Sequence, residues 1–208
     1  MKKVYSLGEE IASSILHGLG GGLAIAGLVM AVVKSMDAWQ VVSSCIYGAS
    51  LILLFIMSCL YHALSNATAK KVFRVFDHTG IFFLIAGTYT PYTLVAIRGV
   101  WGWVLFGIVW TAAIVGIALN SVSIEKFKKF SMICYIAAGW CVLLAMEPLY
   151  KSMEPTGFWL LLGGGMAYTI GILFYRQKGK RWFHAIWHVF VLFAAILQYM
   201  SVYMYVLG

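Results

Sequence analysis

Apolar residues run along this chain in long unbroken stretches separated by short clusters of charge, and the stretches predict helices that cross a bilayer. Read against the charges, they give seven segments, at 11–33, 39–64, 75–97, 101–119, 130–149, 157–175 and 183–207. Each is of the order of 20 residues, the length a helix needs to cross roughly 30 Å of hydrocarbon. Continuous apolarity favours helices over a barrel, whose strands alternate in character over about ten residues. The first stretch reads as a retained span: Lys2 and Lys3 are followed by acidic Glu9 and Glu10, the apolar run is too long for a cleavable signal peptide, and no small-residue cleavage site follows. The expectation is an all-α integral membrane protein, a seven-helix bundle forming one domain over residues 1–208.

Composition agrees. With 62% hydrophobic residues, 11% charged and a mean hydropathy of +0.90, a soluble fold has nowhere to hide this much apolar surface. The net charge of +8 then reports topology. Seven spans put Lys2, Lys3, Lys70, Lys71, Arg74, Lys126, Lys128, Lys129, Arg176, Lys178, Lys180 and Arg181 on one side, and only Lys34, Arg98 and Lys151 on the other. Twelve against three in short loops follows the positive-inside rule for a cytoplasmic amino end and an external carboxyl end, and an even number of spans spoils it. The excess implies contact with anionic lipid at the cell membrane and calls for no nucleic acid. Trp39, Trp101, Trp103 and Trp159 fall at outer ends of spans and Trp182 at an inner end, as an aromatic belt requires.

Cysteine and glycine carry packing information. Cys45, Cys59, Cys134 and Cys141 lie inside spans with no C-x-x-C spacing and read as small core residues without a disulfide. Gly18 and Gly22 form a G-x-x-x-G on the first span, and Gly163 to Gly165 with Gly171 mark the sixth, so both helices are expected to approach neighbours closely.

Ionisable residues inside a membrane mark function by default. Ser58 and His62 sit four apart near the cytoplasmic end of span 2, Asp77 and His78 open span 3 from that side, and His184 and His188 open span 7. His17 lies within two turns of the same end of span 1. The levels were assigned from Lys and Arg alone, so their agreement points to one polar site. Residues four apart share a helix face, with Cβ atoms roughly 5–6 Å apart. Two imidazoles there can lean together and share a zinc ion. His62 as a third ligand leaves the fourth position open, the catalytic pattern, whereas structural zinc is closed by four ligands. Ala185 stands where a metalloprotease helix carries glutamate, so a general base must come from another helix. Asp77 is the carboxylate at that level. Its alternative use is as a charge complementing a helix N-terminus. Ser58 can equally bond its own backbone. His78 projects about 100° from Asp77, at roughly 3.6 residues per turn, and reads as a packing or interfacial residue. His17 reads as a second partner around the ligands or an interhelical bond.

The segment Phe76-Asp77-His78-Thr79-Gly80-Ile81, running on to Ala86-Gly-Thr-Tyr-Thr-Pro91, resembles the hemolysin III signature within the wider progestin and adipoQ receptor family of seven-span proteins. Glu9-Glu10 with His17-Gly18, Ser58-x-x-x-His62 and His184-x-x-x-His188 extend the resemblance across nearly the whole chain. It implies zinc held by His62, His184 and His188 near the cytoplasmic face, with Ser58 and Asp77 beside the water in the open position. The family is similar to alkaline ceramidases, zinc-dependent amidases of the membrane, which implies hydrolysis of a lipid amide or ester.

Other uses of the same residues stay open from sequence: a receptor or membrane-state sensor with structural zinc, a pore-forming haemolysin, or bis-histidine haem ligation through His17 and His62. A pore or transporter wants polar residues through the full depth and broken helices near the midplane. The outer halves of these spans offer only scattered groups such as Thr88, Thr90, Gln198 and a boundary Glu147. The topology has a direct test. Reporter fusions at residues 176–181 and at Gly208 should give opposite signals, the first cytoplasmic, and equal signals at the two places would rule out seven spans.

Overall fold

A computed structural model of the chain describes residues 5–177 and 179–207, and within them seven helical spans long and apolar enough to cross a membrane. Lys2, Lys3, Lys178 and Gly208, which enter the charge count and the topology test, lie outside the described residues. The helices are α1 (Leu7–Lys34), α2 (Ala38–Ala63), α3 (Ala67–Pro91, continued by a π turn Tyr92–Ala96), α4 (Val100–Val122), α5 (Ile124–Gly139), α6 (Met146–Ser152), α7 (Pro155–Arg176) and α8 (Phe183–Tyr205). α5 and α6, joined by a 3₁₀ turn over Cys141–Ala145, make up the fifth span. Neighbours in sequence pack together at α1–α2, α2–α3, α3–α4 and α7–α8, α1 closes against α8, and α3, the most enclosed span, also touches α5. Seven crossings leave the described ends at opposite ends of the bundle, and Lys34, closing α1, donates to the carbonyl of Tyr203 near the end of α8 (2.7 Å).

Spans 3 and 5 begin earlier than their apolar runs, because capped amphipathic turns extend them towards the basic end. The Asn66 side chain accepts from the amides of Thr68 and Ala69, both at 3.0 Å, so Lys70, Lys71 and Arg74 are helical. Ser123 does the same for Lys126, and Lys126, Lys128 and Lys129 ride on the first turns of α5. Both caps satisfy donors that a helix start leaves orphaned. Asp77 and His78 consequently sit in the third turn of α3, well inside the helix, which removes the reading of Asp77 as a charge at a helix N-terminus.

In α1 the usual amphipathic logic is inverted. Ser13, His17, Gly20, Gly21, Ala24, Gly27 and Ala31 face the bundle, whereas Ile11, Ile15, Leu19 and Leu23 are exposed to lipid. Lipid tails are as apolar as leucine, so helices associate where small residues let backbones approach and where polar groups find partners. The G-x-x-x-G expectation is corrected here. A Cβ on Gly22 would meet nothing within 4 Å and one on Gly18 would make only an ordinary contact with Cys59, while on Gly20 and Gly21 it would lie 2.6 Å from Phe55 and Ile56. The close face is set by Gly20 and Gly21, which lie between the two glycines of the motif. On α7 the tight positions are Gly164 and Gly171, packed on Gln198 and Trp187 of α8, while Gly163 and Gly165 have room. Among the described residues all four cysteines are free, as expected, but the core reading is corrected: Cys45 is exposed and Cys59, Cys134 and Cys141 are only partly buried.

Span 5, expected as one continuous helix, is broken between Gly139 and Met146. The break frees backbone groups that lipid cannot satisfy, and Tyr89 of α3 satisfies two of them: its hydroxyl donates to the Gly139 carbonyl (2.7 Å) and accepts from the Val142 amide (2.8 Å). Trp140 Nε1 donates to Thr169 of α7 (3.1 Å), and this bond links α5 to α7, which do not pack along their length. Irregular backbone at such depth is tolerated where it lines a cavity, and Gly139 and Trp140 do line one.

Candidate metal centre

Three helices carry the site. His184 and His188 lie one turn apart on α8, and His62 stands in the last turn of α2. Their Nε2 atoms converge: His184 to His188 is 3.0 Å, His188 to His62 is 3.1 Å and His184 to His62 is 3.3 Å. A tetrahedral zinc with bonds of about 2.0–2.1 Å separates its ligand nitrogens by roughly 3.3 Å, so the triangle already has the dimensions of three corners of that tetrahedron. The three form a group that can hold a metal ion, with His62 and His188 buried and His184 partly so.

Two of the three outer nitrogens have partners that fit a proton on Nδ1. His62 Nδ1–H donates to Glu10 Oε2 (2.6 Å), and the other Glu10 oxygen accepts from Lys70 Nζ (2.8 Å). A carboxylate held by an ammonium only accepts, so the proton is on Nδ1 and the lone pair of His62 Nε2 points at the centre. His188 Nδ1 lies 2.7 Å from His17 Nε2 on α1. With its proton on Nδ1, His188 also presents a bare Nε2 inwards, and His17 is left with a protonated, buried Nδ1 that has no partner. This is the outer support that metal-ligating histidines receive elsewhere. Tyr5 stacks on His184 with ring centres 4.0 Å apart and planes 16° from parallel, and burial pushes its phenol far above the usual range, so it stays neutral.

A cavity of about 320 Å³ opens beside the triangle, lined by Asp77, His17, His184 and His188, with Arg74 and Lys128 towards the basic end of the bundle. Ser58 is fully buried one turn below His62 and faces Asp77, and its hydroxyl makes no bond to its own backbone, the alternative use open from sequence. His78 corrects the packing expectation: its Nδ1 bonds the Arg74 carbonyl (2.9 Å), and the ring lies on the cavity wall 3.5 Å from the Asp77 carboxylate. Glu10 and Lys70 were not assigned roles from sequence. The available signal was spacing, since Glu10 and His17 are seven residues apart, two turns on one face of α1. A second carboxylate, Glu9, ties the amino end to the loop before α8, accepting from the Trp182 amide (2.7 Å) where that residue holds a left-handed φ of 69°.

A bundle of seven spans that gathers three imidazoles at its basic end is a multi-pass membrane protein with a candidate metal centre. The profile of the family described as Haemolysin-III related matches residues 5–199. The chain is 41% identical over 202 residues to "Hemolysin-3" of Bacillus cereus, covering 96% of this chain and 92% of that one. It is 38% identical over 205 residues to "Hemolysin-3 homolog" of Bacillus subtilis (strain 168), at 97% and 96% coverage, and 30% identical over 204 residues to "Monocyte to macrophage differentiation factor" of Homo sapiens, at 95% and 84%. No solved structure matches the chain. The chain belongs to the haemolysin-III related family.

Ligand and support roles separate by mutation. Purified wild type should carry about one metal ion per chain, and His62→Ala, or His184→Ala with His188→Ala, should lose it, both read by elemental analysis. Glu10→Gln should retain folding and weaken metal affinity about 10–100-fold, the usual cost of removing a hydrogen-bond partner of a ligand; unchanged affinity would deny Glu10 its orienting role.

Proposed function

We propose that this protein is a zinc-dependent hydrolase of the cell membrane, acting on a membrane lipid amide or ester from a site near the cytoplasmic face. The observation that carries the reading is the inward-facing triangle of Nε2 atoms with an open fourth direction, next to a cavity that also holds a carboxylate. Zinc bound there supplies polarisation of a carbonyl and activation of a water. The chain's own residues do the rest. Asp77 takes a proton from the attacking water and returns it to the leaving amine or alcohol. Ser58 donates to the water or to the oxygen that gains charge. Tyr5 covers His184 and limits water from the aqueous side.

The lipid chain has a place as well. Beyond the polar cavity lies a second one, about 120 Å³ in volume, among α3, α5, α7 and α8 and bounded mostly by apolar and aromatic side chains. Leu54, His78, Ile81, Tyr175, Trp187 and Val191 line both, so the two adjoin. Entry between α5 and α7, which do not pack along their length, lets a lipid slide in from the bilayer with its scissile group at the triangle. The hemolysin names of two relatives describe those proteins. In this chain the broken span gives the midplane irregular backbone, but its freed groups are met by Tyr89, which supports a lined cavity over a conducting path.

The same zinc as a mere tie between helices makes the protein a receptor or sensor, and one substitution separates the readings. Asp77→Asn keeps shape and should leave folding and zinc content intact while turnover of a lipid amide or ester falls about 10²–10⁴-fold, the usual contribution of a general base. A zinc-loaded Asp77→Asn protein with full activity would eliminate the mechanism, and a wild type inert towards membrane lipids would favour the receptor.

A further inference from the structure

Most polar groups bordering the inner cavity are paired. Tyr89 donates to one backbone group and accepts from another, Thr169 donates to the Gly165 carbonyl (2.8 Å) and accepts from Trp140, and Tyr135 donates to the His78 carbonyl (2.8 Å). The side chains of Tyr168, Tyr175 and Gln198, which also line it, make no hydrogen bond among the described residues, and of these the Tyr168 hydroxyl of α7 is the one fully enclosed. Beside it lie Tyr47, whose buried hydroxyl neighbours Thr88, and Thr88 itself, whose Oγ1 spends its proton on the Leu84 carbonyl (2.8 Å) and can only accept. The carboxamide side chain of Gln198 borders the same end of the cavity, against Gly164. An unmet hydroxyl in a bilayer interior is costly relative to a paired one. A phenol hydroxyl enclosed without a partner at the cavity wall points to a ligand that completes it.

We infer that this end of the cavity is a second polar subsite, which binds a hydroxyl group carried far along the acyl chain of the ligand. The inference rests on the hydrolase reading, which puts the carbonyl at the histidines. His188 and Gln198 are ten residues apart on α8, about 15 Å at 1.5 Å per residue, which an extended chain of roughly a dozen carbons spans. Tyr168 donates to the ligand oxygen, and the ligand hydroxyl donates to Thr88 or to the Gln198 carbonyl oxygen. A plain hydrocarbon chain fills the space but leaves the phenol unmet. The substrate class is therefore an amide or ester of a hydroxylated fatty acid, with the hydroxyl near the twelfth carbon.

The test is equilibrium dialysis of radiolabelled ω-hydroxydodecanoate and dodecanoate, the acids such hydrolysis releases, against the zinc-loaded full chain in lipid nanodiscs, each corrected for partition into empty nanodiscs. The hydroxylated acid should bind roughly tenfold tighter, since each of two hydrogen bonds contributes a few-fold. Tyr168→Phe deletes only an unpartnered hydroxyl. It should fold, keep its zinc and bind dodecanoate as wild type does, while the preference falls towards parity. Equal binding of the two acids by wild type, or an undiminished preference in Tyr168→Phe, overturns the subsite and leaves the lipid cavity standing. Binding of neither acid removes the subsite and the lipid reading together.

Discussion

Three imidazole nitrogens converge within 3.0–3.3 Å of one another where water is scarce, and a metal can be held there only if each turns its lone pair to the centre. Such an arrangement repels itself unless a cation lies among the lone pairs, and it holds its shape only if the opposite ring nitrogens have partners that keep their protons. Much of the structure near the basic end serves that second condition. Glu10 fixes His62, Lys70 holds Glu10, and His17 meets His188. The partners come from α1, and α1 is brought to α2 and α8 by a face of serine, glycine and alanine. The first span thereby contributes no ligand and still determines whether the ligands can act.

The rest of the bundle also buries large side chains such as Phe55, Phe82 and Leu149, and there depth decides what is done with the polarity among them. At the basic end it is gathered into a site. Near the middle it repairs backbone, as Tyr89 does for the broken fifth span, and the break in turn widens the space among α3, α5, α7 and α8. The chain thus places a candidate metal centre near the basic end of the bundle and a largely apolar recess behind it.

Much of this was legible in the sequence, because membrane physics is stringent. Seven apolar runs and the common depth of His62, Asp77, His184 and His188 located the spans and the site without any contact being known. The misses have equally physical causes. Hydropathy marks the hydrocarbon, not the helix, so the capped turns at Asn66 and Ser123 extend α3 and α5 past their apolar runs. A G-x-x-x-G pattern says that a face is smooth without saying which face is used, and Gly20 and Gly21 are the positions pressed on α2. The broken span left only Gly139 as a hint, since its repair comes from a tyrosine fifty residues away. Glu10 was visible as an acidic residue at a membrane edge, and its use depends on a pairing with His62 that spacing within one helix does not reveal.

The central claim is that three histidines hold a metal and leave one direction open to a water or a carbonyl. X-ray absorption at the zinc edge of purified, membrane-reconstituted protein measures that directly. The account predicts three imidazole nitrogens and one exchangeable oxygen, all near 2.0–2.1 Å. Sulfur scattering near 2.3 Å, or a fourth imidazole contributed by His17, would close the open position and contradict it.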